Sequence, residues 1–140
     1  MASFVKYNSG GEAIAEGINA GSDTWKIALT NTAPNVATNT VLADITDLTT
    51  SGGYTAGGNT CAITSSTQTS GTYKLVLASP AMWTATGAGF TFRYAVLYDA
   101  TASNALVGYW DYGSSVVMSG TNGDTFTVTL DGTNGTFTLV

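Results

Sequence analysis

The side chains best suited to acid–base chemistry are nine carboxylates, and the sequence contains no histidine to work beside them. Without histidine, Ser-His-Asp and Cys-His catalysis and the usual zinc sites are excluded. A glycosidase needs only two carboxylates within about 10 Å, and folding can bring any pair together. The nine are Glu12, Glu16, Asp23, Asp44, Asp47, Asp99, Asp111, Asp124 and Asp131. No spacing among them predicts a catalytic pair, and most lie beside turn glycines or at strand ends, which favours structural roles.

Three loop segments share only part of the pattern of an ion-binding or phosphate-binding loop. Residues 121–125 (TNGDT) and 131–135 (DGTNG) carry oxygen ligands suited to calcium, but neither has the carboxylate spacing of an EF-hand. The glycine-rich segment 51–59 lacks the GK[ST] ending of a phosphate loop and the helix that should follow it. Cys61 is the single cysteine and has no basic neighbour, which predicts an inert thiol. We therefore expect no cofactor and no metal, and two ordinary hairpin turns.

The aromatic run GYWDYG, at residues 108–113, contains rings that can stack on sugars. Alternation along a strand places Trp110 and Tyr112 on the face of Leu106, which predicts that they fill the core. Tyr109 lies on the opposite face and is the better exposed candidate for a glycan contact. The core interpretation is favoured, and the glycan interpretation stays open.

Charge and hydropathy narrow the classes of partner. The chain has only four basic residues against nine acidic ones, for a net charge of −5. Binding a phosphate backbone needs clustered cations, so nucleic acid is not an expected partner. No apolar run reaches membrane-spanning length, and the opening MASFVKYNS lacks the apolar core of a signal peptide. We therefore expect synthesis in a cytoplasm, without export by that route and without membrane insertion.

The elements that must position these side chains are mainly β. Residues 89–99 (GFTFRYAVLYD) alternate aromatic or branched side chains with smaller ones and turn apolar on both faces, which predicts a central strand. One short helix is expected from Ser9, with Glu12 at the spacing of a capping box. About eight strands separated by turn residues predict an antiparallel β-sandwich, jelly-roll-like, in a single domain over residues 1–140. Residues 1–8 are a candidate extended arm.

Two hairpins are predicted from the turn residues. Ser70 and Gly71 separate a polar strand pattern at residues 61–69 from the apolar pattern TYKLVLA. The segment DTFTVTL, followed by turn residues 131–135 and then TFTLV, predicts a C-terminal hairpin.

Five stretches in this order resemble small structural proteins of tailed bacteriophages: KIALTNTAPN with VLADITDL, GYTAGGNT, TSGTYKLVLASP, FRYAVLYD, and GYWDYGSSV with GDTFTV. The likeness covers nearly the whole chain, although no single stretch is a functional motif. Gly10 and Gly11 depart from it, because related chains tend to carry larger residues there. The resemblance implies a non-enzymatic virion protein, most simply a head decoration (cement) protein on the capsid exterior.

A decoration protein implies the phage major capsid protein as its partner, and self-association as a trimer or another closed oligomer. The candidate contact residues are Phe4, Val5 and Tyr7 in the arm and Tyr54 in the glycine-rich loop, since these large side chains are predicted outside regular strands. Two alternatives stay open. One is a tail or adsorption protein that binds a host surface glycan through Tyr109, and the other is a carbohydrate-active enzyme.

Overall fold

Ten strands, one α-helix and one 3-10 turn organise residues 2–140, which are the residues that this computed structural model describes. The helix is α1 (Asn8–Glu16), and the 3-10 turn is Leu42–Asp44. The strands are β1 (Phe4–Lys6), β2 (Trp25–Thr30), β3 (Asn59–Cys61), β4 (Ile63–Thr69), β5 (Thr72–Leu77), β6 (Trp83–Thr84), β7 (Phe90–Asp99), β8 (Ala105–Met118), β9 (Thr125–Phe126) and β10 (Phe137–Leu139). The mainly β class and the short N-terminal helix agree with the sequence, while the strands exceed the eight expected.

The most apolar strand, β7, lies in the middle of a five-stranded antiparallel sheet of order β1-β8-β7-β2-β3. One face of this sheet supplies Ile27, Leu29 and Leu97 to the main core, which also takes Leu75 and Leu77 from β5. Burial of each such side chain stabilises the fold by about 1.5–3 kcal/mol. A central position for residues 90–99 was expected from their alternation, and it is confirmed.

The opposite face of β7 also lies under protein. Val96 and Tyr98 pack there with Tyr7 and Ile45 in a second, smaller cluster. The segment around the 3-10 turn and the chain between β1 and α1 supply this cover. The apolar residues on both faces of the strand are therefore explained by a layer on each side.

The remaining strands form a three-stranded sheet, β10-β5-β4, and a two-stranded ladder, β6-β9. The hairpin between β4 and β5 turns at Ser70 and Gly71, whose positive φ angles of 50° and 86° fit a tight hairpin, and this prediction is confirmed. The predicted C-terminal hairpin is wrong. Phe137 in β10 pairs with Leu75 in β5, and Phe126 in β9 pairs with Trp83 in β6. A face-to-face jelly roll stays a prediction, and the structure establishes antiparallel sheets around a shared core.

Helix α1 begins without the predicted capping box. Its N-cap is Tyr7, which makes no side-chain cap, and the buried Ser9 hydroxyl has no hydrogen-bond partner among residues 2–140. The helix packs on β8 through Gly10, where a Cβ atom would lie 3.0 Å from the Val107 carbonyl oxygen. Close packing therefore explains a glycine that helix propensity disfavours. In residues 2–140 no helix is long and apolar enough to cross a membrane.

Candidate functional site

A cleft with a volume of about 580 Å³ lies along the middle of β8. We call it the β8 cleft. It is lined by Ala2, Trp110, Asp111, Tyr112, Gly113, Val128 and Thr129. Four of these seven residues come from the aromatic run that the sequence marked for sugar stacking.

A wide bulge in β8 forms one wall of the β8 cleft. Phe92 pairs with Val116 and Tyr94 pairs with Asp111, so residues 112–115 stand opposite the single residue Arg93. Gly113 has a φ of 80°, a conformation that residues with a side chain rarely adopt. Its N–H donates to the Asp111 carboxylate at 2.7 Å, and this hydrogen bond between residues two apart stabilises the bulge.

The only salt bridge found within residues 2–140 joins the two strands at the base of this bulge. Arg93 donates from Nε and Nη2 to the two Asp111 carboxylate oxygens at 2.9 and 3.0 Å. The arginine hydrogen bond is the main reason that the pKa of Asp111 falls below its ordinary value and that the pKa of Arg93 rises. The Arg93 guanidinium also lies 5.1 Å from the centre of the Tyr94 ring. The carboxylate is therefore held in one orientation by Arg93 and by the Gly113 N–H.

Packing fixes the two aromatic rings of the wall. Trp110 lies against Phe4 of the edge strand, with ring centres 4.9 Å apart. Tyr112 meets Phe92 and Phe126 edge-on, with ring centres 5.8 and 5.4 Å away. Both rings remain half-buried, so each keeps part of its surface open.

The opposite wall is an irregular segment that follows β9. Val128 is buried in the main core and anchors the segment, whereas Thr129 is exposed at the cleft. The next residue, Leu130, donates its N–H to the Ser79 hydroxyl at 3.0 Å. A strand was expected over residues 124–130, but only Thr125–Phe126 pair, because β6 is short and offers them no longer partner.

A second bulge changes the predicted faces of β8. Leu97 pairs with Gly108 and Tyr98 with Leu106, so Val107 is an extra residue in the ladder. As a result Val107 joins the main core, while Leu106 lies in the second cluster. The prediction that Leu106 shares a face with Trp110 is therefore wrong.

The structure does not bring Tyr109, the predicted glycan contact, to the β8 cleft. Its ring lies between Tyr7 and Tyr94, with ring centres 5.6 and 6.2 Å away. Tyr109 and Trp110 are both half-buried, so neither ring is fully exposed. Glycan binding by Tyr109 therefore stays a prediction, and Tyr109 does not line the β8 cleft.

The four predicted partner-contact residues lie in very different surroundings. Phe4 and Val5 belong to β1, with Phe4 half-buried on Trp110 and Val5 38% exposed. Tyr7 is fully buried and Tyr54 is 1% exposed. Phe4 and Val5 were expected outside regular strands and instead lie in β1, whereas Tyr7 and Tyr54 lie outside the strands but are buried. Of the four, only Val5 offers substantial side-chain surface.

Tyr54 anchors the glycine-rich loop to the central sheet. Its hydroxyl accepts the Leu29 N–H at 3.0 Å and donates to the Asp47 carboxylate. The second oxygen of Asp47 accepts the Gly57 N–H from the same loop. Burial is the main cause of the raised pKa of Tyr54. The loop is therefore held down by its one large side chain.

Asp99 and Asp23 lie near enough for the charge of Asp23 to affect the Asp99 carboxyl. Asp99 is fully buried, and one of its oxygens accepts the Thr101 and Ala102 N–H groups at 2.8 and 2.9 Å. Its other oxygen has no hydrogen-bond partner assigned within residues 2–140. Burial first, and the charge of Asp23 second, raise the pKa of Asp99. This arrangement closes a turn and does not form an open pair of catalytic carboxylates.

The two segments considered for calcium use their carboxylates as turn acceptors. Asp131 accepts the Thr133 and Asn134 N–H groups at 2.8 Å each, and Asp124 accepts the Ser119 N–H at 2.8 Å. No group of three metal-ligating side chains occurs in residues 2–140. Cys61 is buried, and burial raises its pKa to about 12, as expected for an inert thiol.

Comparison with known proteins adds no identification. No family model, no curated protein and no solved structure matches this chain. The resemblance to tailed-phage structural proteins therefore stays a prediction. The sequence assigned no role in a site to Arg93 or Asp111. Their signal is that Arg93 is the one basic residue of β7 and Asp111 the one charged residue of β8.

Proposed function

We propose that this chain is a non-enzymatic structural protein of a tailed-phage virion, which decorates the outer surface of the head. It binds the major capsid protein and bridges neighbouring shell subunits, so that more contact area must be broken to separate them. The ordered sequence resemblance supports this proposal, as does a surface that relies on Thr, Ser, Asn and Gly and carries few charges. Such a surface is compatible with large protein contacts, whose centres are poor in charged residues.

The observation that carries the proposal is the open edge of β1. This strand is outermost in its sheet, and Tyr7 just beyond it donates its N–H to the Val107 carbonyl at 3.1 Å. Hydrogen-bonding positions alternate along an antiparallel pair, so Phe4 and Lys6 direct their N–H and C=O groups away from β8. Unpaired edge groups are a template for another strand.

A strand of the capsid protein can therefore extend this sheet, with the exposed Val5 side chain beside it. This mode of binding uses main-chain hydrogen bonds for affinity and adjacent side chains for specificity. It keeps the contact within the predicted arm of residues 1–8, now at the edge strand Phe4–Lys6, while Met1 lies outside the described residues and Asn8 begins α1. Self-association as a trimer or another closed oligomer belongs to the same proposal, and sedimentation of the purified chain tests it.

The edge-strand contact is tested with the Lys6→Pro variant. Proline removes the outward N–H of Lys6 but leaves the β1–β8 hydrogen bonds intact. Loss of one such bond costs about 1 kcal/mol, and the ring crowds the interface, so we expect affinity for capsids lacking this protein to fall about fivefold or more. Lys6→Ala keeps the N–H and should bind like the unmodified chain. Equal occupancy by the proline and alanine variants would remove β1 as the contact.

The β8 cleft favours a second candidate, a tail or adsorption protein that binds a host surface glycan. It has the dimensions of a small-molecule site and contains aromatic rings. The two candidates differ in where the chain lies on the particle, which labelling of intact virions distinguishes. The carbohydrate-active enzyme draws no support from Asp23 and Asp99, because Asp99 has no exposed surface.

A further inference from the structure

The β8 cleft combines groups that capsid binding through the β1 edge does not use. The half-buried Trp110 and Tyr112, together with Asp111 and the exposed Thr129, line a space of about 580 Å³. Small-molecule sites usually have volumes of about 300–1,000 Å³ and combine apolar walls with a few fixed polar groups. The cleft therefore has both the size and the composition of a ligand site.

The aromatic groups are held ready for a flat, partly apolar ligand. Phe4 supports the Trp110 ring, while Phe92 and Phe126 hold Tyr112. Rings that are already fixed lose little conformational freedom when a ligand is placed against them. A sugar ring offers a face of C–H groups for such contacts.

The polar groups indicate that the ligand is uncharged. Asp111 and Arg93 neutralise each other, so the cleft presents no net charge to attract an anion or a cation. A carboxylate has about four acceptor positions, and two N–H groups of Arg93 and one of Gly113 occupy three. The position that remains suits a donor hydroxyl. The Thr129 hydroxyl, for which no hydrogen bond is found within residues 2–140, can both donate and accept.

We propose that the β8 cleft binds a neutral saccharide. One sugar ring packs on Trp110 and Tyr112, and its hydroxyls bond to Asp111 and Thr129. Arg93 is a positioning residue, because it fixes the orientation of Asp111. This proposal goes beyond capsid decoration and does not depend on it, since a saccharide site can serve a protein on the head or on the tail.

The first measurement is binding of the purified chain to an array of immobilised oligosaccharides. The neutral probes end in glucose, galactose, mannose or N-acetylglucosamine, and sulfated and sialylated forms of the same cores stand beside them. The strongest neutral probe is then titrated in solution while acrylamide quenching of tryptophan fluorescence is followed. Trp25 and Trp83 are at most 2% exposed, so the quenchable signal belongs mainly to Trp110 and should fall as the cleft fills.

Two arginine variants locate the site. Thr129→Arg places a long side chain at the cleft, where the native residue is exposed and the fold should persist. Thr127→Arg makes the same change at an exposed threonine of the same segment that does not line the cleft. Tyr109→Phe removes the hydroxyl of the rival glycan contact. Should Thr129→Arg fail to fold, Thr129→Val replaces the hydroxyl with a methyl group of similar size, and a loss of affinity of about fivefold is then expected.

The expected result is binding of a neutral probe, protection of Trp110 from acrylamide, and a loss of affinity of about tenfold or more with Thr129→Arg alone. The Thr127→Arg and Tyr109→Phe variants should bind like the unmodified chain. The proposal is overturned if no neutral probe binds, if only charged probes bind, or if Thr129→Arg binds as well as Thr127→Arg. Loss of binding with Tyr109→Phe would move the site to the other face. These experiments use the purified chain alone. Saccharide binding can therefore be disproved while capsid decoration holds, and capsid decoration can be disproved while saccharide binding holds.

Discussion

At the scale of single residues, the buried polar groups decide which side chains are available to a partner. Tyr7 and Tyr54 are the largest residues of two segments that look like loops in the sequence, yet both lie in the core. A large aromatic side chain in a glycine-rich segment can anchor that segment as readily as it can bind a partner. Hydropathy does not distinguish the two cases, because the deciding hydrogen bonds of Tyr54 to Leu29 and Asp47 join separate parts of the chain.

The buried carboxyl of Asp99 gives a prediction on pH. Its pKa is raised in the folded state, so between about pH 4, the unfolded value, and that higher folded value the folded chain holds more protons. Its contribution to the free energy of unfolding is therefore full below about pH 4 and is lost as pH rises through the folded pKa. Asp99→Asn keeps the acceptor oxygen for the Thr101 and Ala102 N–H groups but cannot ionise. We expect its free energy of unfolding to fall less with rising pH than that of the unmodified chain.

Urea unfolding at a series of pH values from about 4 to 7 measures this difference. Asp44 is a control of opposite sign, because hydrogen bonds from the Thr40 and Val41 N–H groups lower its pKa. Its stabilising contribution is present above about pH 4 and is lost as pH falls. Parallel stability curves for Asp99→Asn and the unmodified chain would show that Asp99 does not titrate as described.

At the scale of elements, the packing of α1 on β8 predicts opposite outcomes for two neighbouring glycines. At Gly10 an added methyl group would lie 3.0 Å from the Val107 carbonyl oxygen, whereas at Gly11 it would meet only the flexible end of Lys6 at 3.5 Å. We expect Gly11→Ala to raise the free energy of unfolding by about 0.5–1 kcal/mol through helix propensity. Gly10→Ala should lower it by about 1–3 kcal/mol through overpacking.

Thermal and urea unfolding of the two alanine variants, each compared with the unmodified chain, measures these changes. Both variants alter the same helix by one methyl group, so they differ only in what that group meets. Stabilisation by Gly10→Ala comparable to that by Gly11→Ala would mean that α1 does not pack on β8 as closely as described.

The two bulges of β8 mark the places where alternating side chains in the sequence do not predict which face of the strand each residue occupies. The central strand β7 follows its period-2 pattern and was predictable, whereas residues 112–115 form a bulge within an apparently regular run. At the other bulge, the extra residue Val107 reverses the faces beyond it, and this is why Leu106 and Trp110 lie on opposite faces of the sheet. Arg93 and Asp111 carry opposite charges on neighbouring strands, and their ion pair was the available signal for the register at the cleft.

At the scale of the whole molecule, local sequence patterns predicted the fold class but not how the strands are arranged in sheets. The β class, the N-terminal helix and the Ser70–Gly71 hairpin follow from neighbouring residues. The partners of β9 and β10 do not, because β10 joins β5 some sixty residues earlier while adjacent strands are the default expectation. The β8 cleft is of the same kind, since its walls come from segments that only the fold brings together. The proposed binding surfaces, the β1 edge and the β8 cleft, therefore could not be predicted from neighbouring residues alone.

The most direct test of the central claim is gold labelling of intact virions with an antibody against this chain, viewed by electron microscopy. Head decoration predicts label spread evenly over the capsid exterior, on every particle. Label confined to the tail would contradict it and favour the adsorption role. Absence of the chain from purified particles by mass spectrometry would contradict a virion protein of either kind.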